Sequence, residues 1–242
     1  MWIAIEVANC SACTYDLRVT IQLSRLAFII AVLVSFTLVS AAQVKVTIDH
    51  NTGSAATSAF KFQRVPSPVK DNAAAKAKLT LVVGHADGNS AGLKALTDGI
   101  LPENDDDALN NFFFNAGSDG GRFLLDLGNS VRIVQVNTYS WHANSRGPQV
   151  YNLFASDGAG PRFNPAPDSR TDPATCGWKL IATVDTVPAQ GETGGQYGVS
   201  ITDASGVLGK FRYLLFDSIP TEFDDPWGNT FFSEINVIGS SN

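Results

Sequence analysis

Apolar and polar residues alternate along most of this chain, and the period is two. Val44-Lys45-Val46-Thr47-Ile48 sets apolar side chains on one face and polar ones on the other, which predicts a half-buried strand. Residues 60–65 repeat the pattern before Pro66 and Pro68 end it, predicting a second strand. Residues 71–78, with Ala73-Ala74-Ala75, predict a short helix, and 79–83 a brief apolar strand. Further strands are predicted over 121–127, 131–141, 149–155, 178–184, 197–201, 211–217 and 230–238. Turn signals separate them: Leu127-Gly128-Asn129-Ser130, Ser156-Asp157-Gly158, and Gly- and Asp-bearing stretches at 203–206 and 224–228. Repeated strand–helix alternation is missing, so the expected fold is all-β, a jelly-roll β-sandwich. No internal repeat is present. Two long loops, 101–108 with Glu103, Asp105, Asp106 and Asp107, and 158–177 rich in Pro, Asp and Arg, are where such a scaffold carries binding.

The first 42 residues read differently. Arg18 and Arg25 precede an apolar run over 26–39, followed by the small residues Ser40-Ala41-Ala42. That is the layout of a signal peptide, with an over-long start. The run falls short of the roughly 20 apolar residues of a comfortable membrane span. An uncleaved anchor is the alternative. The expected organisation is a leader over 1–42, N-terminal strands over 43–95 belonging to the sandwich or to a small extension, and the main β-sandwich domain over 96–242. A cleaved product would be secreted, periplasmic or cell-surface, with no membrane insertion afterwards.

Charge narrows the partners. The chain of 242 residues has a formal net charge of −6, which argues against nucleic acid, whose footprint is basic, and against anionic membranes. Cations, neutral glycans and envelope proteins stay open. Cys10 and Cys13 fall in the leader, leaving Cys176 alone, so the mature chain has no internal disulfide and Cys176 reads as a structural thiol.

Several motifs occur in a fixed order: Leu96-Thr97-Asp98-Gly99; Phe123-Leu124-Leu125-Asp126-Leu127-Gly128 with the strand after it; Gln149-Val150-Tyr151-Asn152-Leu153-Phe154-Ala155-Ser156-Asp157-Gly158; Trp178-Lys179-Leu180; Phe211-Arg212-Tyr213-Leu214-Leu215-Phe216; and Phe232-Ser233-Glu234-Ile235-Asn236-Val237. The order resembles the galactose-binding-like superfamily, that is, discoidin or coagulation-factor type C domains and related bacterial carbohydrate-binding modules. The resemblance covers 96–238 and leaves 43–94 uncovered. Typical discoidin domains tie their termini with a disulfide, which this chain lacks. That departure points toward the bacterial modules.

The resemblance implies a structural calcium ion held by Asp98 and Glu234. Calcium takes six to eight oxygens, mixing carboxylates with carbonyls. Alternation places Glu234 on one face with Phe232 and Asn236. The run Asp105-Asp106-Asp107 lacks EF-hand spacing and reads as a solvated loop. Related sugar-binding modules present a His, an Arg and an aromatic platform at one end of the sandwich. Here that implies Trp141, His142 and Arg146 from one loop, and Trp227 and Asn229 from another. Trp141 also reads as a core residue, and His142 as a satisfied structural imidazole.

Catalytic motifs of the HExxH, P-loop and GxGxxG types do not occur, and His50, His85 and His142 have no metal spacing. The expected function is a non-catalytic binding domain for a glycan. The alternatives are a protein-interaction or adhesion domain of the cell envelope and a hydrolase grown on this scaffold.

Overall fold

The structure, a computed structural model, describes residues 43–222 and 228–240. The expected leader and Trp227 lie outside the described residues. Eight strands follow in order: β1 (Val44–Asn51), β2 (Lys78–Val83), β3 (Gly121–His142), β4 (Val150–Ser156), β5 (Lys179–Asp185), β6 (Gly195–Asp203), β7 (Gly209–Ser218) and β8 (Phe232–Gly239). Every pairing among them is antiparallel.

β3 organises the whole. Its first half, 121–126, pairs with β2 and β7; its second half, 135–142, pairs with β6 and β8. Between them the register slips past Leu127-Gly128-Asn129-Ser130, where Gly128 adopts φ +79°. A side chain there would strain, and glycine allows the bend. The predicted strands 121–127 and 131–141 are therefore one strand folded at a corner, as where strands switch sheets. Layer one holds β2, the first half of β3, β7, β4 and β5. Layer two holds β1, β6, the second half of β3 and β8. The layers touch: the ring of Phe123 is 5.8 Å from that of Phe232, and Tyr151 is 6.0 Å from Phe232. Both ends of β3 thus lie at one end of the sandwich.

The core fills the space between the layers with Phe123, Leu125, Leu153, Leu214 and Phe216 from one side and Ile133, Val136, Val199, Ile201, Ile235 and Val237 from the other. Burying each such side chain contributes on the order of 1.5–3 kcal/mol before entropy is counted.

Residues 60–65 form no strand, against the periodic expectation. They lie across the outer face of layer two, where Phe60 and Val65 pack on Tyr139 and Trp141. The backbone N–H groups of Arg64 and Val65 donate to the carboxylate of Asp49 at 2.6 and 2.8 Å rather than to a neighbouring strand. Alternating apolar residues found a sheet face to cover instead of an edge to extend. The helix expected over 71–78 shrinks to a 3₁₀ turn, Ala73–Lys76, capped by the Asn72 side chain, because Ala77 is already extended and leads into β2. Residues 43–83 are woven into both layers: β1 pairs with β6, and β2 with β3.

β8 departs from strict alternation too. Ser140 pairs with Phe232 but Tyr139 with Glu234, so Ser233 is an extra residue. This bulge turns Phe232 into the core and sends Glu234 and Asn236 to the outer face. The expectation that all three share a face is corrected accordingly.

Candidate ligand and cation sites

At the end of the sandwich where β3 finishes, Thr138, Ser140 and His142 point inward, while Tyr139 and Trp141 point out. The loop after β3 is held tightly. Gly147 N–H donates to Asn144 O at 2.8 Å, Ser140 Oγ to Gly147 O at 2.5 Å, Thr230 Oγ1 to Pro148 O at 2.8 Å, and Phe231 N–H to Arg146 O at 2.9 Å. These bonds bring Arg146 against the start of β8.

There Phe113 and Phe231 stack with ring centres 4.0 Å apart and planes 5° from parallel. The Arg146 guanidinium carbon lies 4.6 Å from the first ring centre and 4.2 Å from the second, within cation–π range. Arg146 Nε donates to Asn229 O at 3.2 Å. The His142 ring stands 4.5 Å from Phe231. Asn144 N–H donates to His142 Nδ1 at 3.2 Å, which leaves the proton on Nε2, 3.7 Å from Asp106 Oδ1 of the acidic loop. Burial and then the Arg146 charge lower the His142 pKa, with Asp106 pulling the other way. The imidazole is therefore neutral near pH 7 and offers a donor. Asn229 Nδ2 donates to Asn115 O at 3.1 Å. Asn229 Oδ1 is buried and has no hydrogen-bond partner among the described residues. Such an atom normally bonds to water or a ligand.

Three of the expected binding residues, His142, Arg146 and Asn229, are thus brought together. Trp141 is not. It is 6% exposed and packs edge-on against Phe60 at 5.7 Å, so neither ring face is free for a ligand. Phe113 and Phe231 were missed from the sequence. The runs Phe112-Phe113-Phe114 and Phe231-Phe232 carried the clue, because successive strand residues face opposite ways and cannot all enter one core.

The second expected pair divides between the interior and the surface. Glu234 is completely buried. Its Oε2 accepts from Gly99 N–H at 3.1 Å and its Oε1 from Asn236 Nδ2 at 3.2 Å. Asp98 is exposed, and its Oδ1 accepts from Ile100 N–H at 2.9 Å. The Glu234 pKa is pushed up to about 8, by burial first and with the Asp98 charge adding, while Gly99, Asn236 and Lys70 pull it down. No group of three or more His, Cys, Asp or Glu converges among the described residues. Two carboxylates, neither joined to a cationic side chain in an ion pair there, suit a hard, oxygen-seeking cation in charge. Backbone carbonyls would have to complete the shell. In the acidic run, Asp107 Oδ2 accepts from Glu103 N–H and Asn110 Nδ2 within the loop, while Asp106 faces His142. Burial raises the Cys176 thiol pKa, as suits an unreactive thiol.

Comparison with family models finds no match, and comparison with curated proteins finds none. Among solved structures, the lectin domain of lectinolysin complexed with Lewis B antigen is 14% identical over 71% of this chain and 98% of its own, at a TM-score of 0.46. A Streptococcus pneumoniae fucose binding module is 14% identical over 70% of this chain and 95% of its own, at 0.43. A chitosan-binding module from a Paenibacillus chitosanase/glucanase is 16% identical over 69% of this chain and 98% of its own, at 0.42. These lectin and carbohydrate-binding modules are what this chain is similar to.

Proposed function

We propose that this chain is an exported, non-catalytic carbohydrate-binding domain that takes glycan hydroxyls at His142, Arg146 and Asn229. The observation that carries the reading is the buried Asn229 Oδ1, which has no hydrogen-bond partner among the described residues, beside Arg146 on the Phe113–Phe231 pair. Asn229 Oδ1 accepts from a sugar hydroxyl, the neutral His142 Nε2–H and the Arg146 guanidinium donate to sugar oxygens, and the buried Phe113–Phe231 pair holds the guanidinium in place. Calcium, held by Glu234 and Asp98, fixes the loop after Thr97 and supplies a structural cation rather than chemistry.

A glycan array probed with the purified protein, once with calcium and once with chelator, tests this. The expected result is a set of hits that Asn229→Ala and His142→Ala both remove while near-UV circular dichroism is kept. A blank array from folded protein, or hits indifferent to both substitutions, would overturn the reading and make capture of envelope proteins the next search.

A further inference from the structure

A concavity opens where β2 ends and β3 begins. It encloses about 600 Å³ between Gly117, Asp119 and Gly120 on one wall and Ser169 on the other, with Arg122 and Asp217 as its floor. That volume lies within the usual range of ligand sites, about 300–1,000 Å³.

The floor is rigidly built. Arg122 is buried, and it donates through Nε and Nη2 to Asp217 at 2.8 and 3.1 Å and through Nη1 to the carbonyls of Asp168 and Thr171 at 2.6 and 2.8 Å. These bonds fasten the long 158–177 loop and engage three of the guanidinium's nitrogens. Asp217 accepts one bond at each oxygen and is 23% exposed, so each oxygen keeps a lone pair to offer. Arg122 and Asp217 cancel in charge. Asp119, exposed at the rim, leaves the cleft with one net negative charge. One wall is bare backbone: a Cβ on Gly120 would fall 2.1 Å from Ser218 O, so only glycine fits there. An acceptor-rich, aromatic-free cleft of this kind suits ligand hydroxyls and repels anions.

The cleft and the His142 site meet at one atom. Asn115 O accepts from Asn229 Nδ2 at 3.1 Å on one side and from Ser118 N and Oγ at 3.3 and 2.6 Å on the other. We infer that the cleft is an extension subsite for a second, uncharged or amine-bearing sugar residue of a glycan whose first residue sits at His142, Arg146 and Asn229. This inference rests on the glycan-binding reading above. It makes the domain selective for oligosaccharides over monosaccharides and against sulfated or uronic-acid chains.

The test is calorimetric titration of the full protein with galactose, fucose, glucose and N-acetylglucosamine and with neutral di- to tetrasaccharides of each. The expected result is at least about tenfold tighter binding of the longer chains, near 1.4 kcal/mol. Ser169→Trp, which fills the cleft from an exposed position, should bring that ratio to about one. Equal affinity at all lengths, or a length gain that survives Ser169→Trp, overturns the extension subsite and leaves the glycan reading standing. Loss of monosaccharide binding in Ser169→Trp overturns it too, by moving the first residue into the cleft. If no sugar of any length binds, the glycan reading fails and this inference falls with it.

Discussion

Asp217 in layer one and Glu234 in layer two are both carboxylates on strands near the same end of the molecule, and they are completed differently. Asp217 faces Arg122 directly in register, and the guanidinium also gathers the carbonyls of a distant loop. Glu234 is more deeply buried, yet its hydrogen bonds come from neutral donors, and the Asp98 charge nearby outweighs that of Lys70. A buried charge is tolerable only when paired. Layer one supplies its own partner, whereas Glu234 has no ion pair among the described residues and holds a proton up to about pH 8.

The largest effect should come from breaking the completed site. Arg122→Ala leaves Asp217 and two loop carbonyls without their donor, and should lower unfolding stability by about 3 kcal/mol in urea melts. Next comes completion of the other site. Calcium at a hundredfold over its Kd should stabilise the fold by about 2.7 kcal/mol, and Glu234→Gln should remove that response. A melting temperature indifferent to both calcium and chelator would exclude the cation.

A smaller effect is the pH dependence in chelator. The folded pKa of Glu234 is raised from 4.5 to about 8, so the folded state holds the proton more tightly than the unfolded chain does. Its contribution is full below pH 4.5 and is lost as pH rises to about 8. Glu234→Gln should flatten that descent, and calcium should abolish it. Asp126 behaves oppositely. Its pKa is lowered, chiefly by the hydrogen bond from Arg212, so its contribution is present above the ordinary aspartate pKa and lost in acid. Chemical denaturation across pH separates the two arms. The smallest effect belongs to Arg212→Ala, which breaks an exposed pair and should shift the midpoint least of all, and less still in high salt.

Much of the fold was legible because strands with one face in the core must alternate. β1, β4, β5, β6, β7 and β8 fall within a few residues of the periodic segments. The same periodicity misled at 60–65, where apolar alternation answered to the outer face of a sheet laid down by residues far along the chain. The bulge at Ser233 left no local trace, since the phase shift is set by pairing with β3. Within the site, His142 and Arg146 came from the resemblance, which implies a His and an Arg at one end of the sandwich. Phe113 was not legible, because three consecutive phenylalanines show no phase until Phe112 pairs with Phe232. Trp141 was read both as a core residue and as a platform, and its neighbours decided for the core.

The corner in β3 also has a consequence for the order of events during synthesis. β3 is the partner of β2, β6, β7 and β8, and among the described residues β1 pairs with β6 alone. As the chain leaves the ribosome from its N-terminus, β1 waits for residues 195–203 before it has a strand to pair with, layer one waits for β7, and layer two is completed only when β8 arrives. A sandwich wired this way matures in a single late step governed by long-range pairing. A polypeptide stopped short of residue 195 would expose β1 as an unpaired edge, a ready substrate for chaperones and proteases.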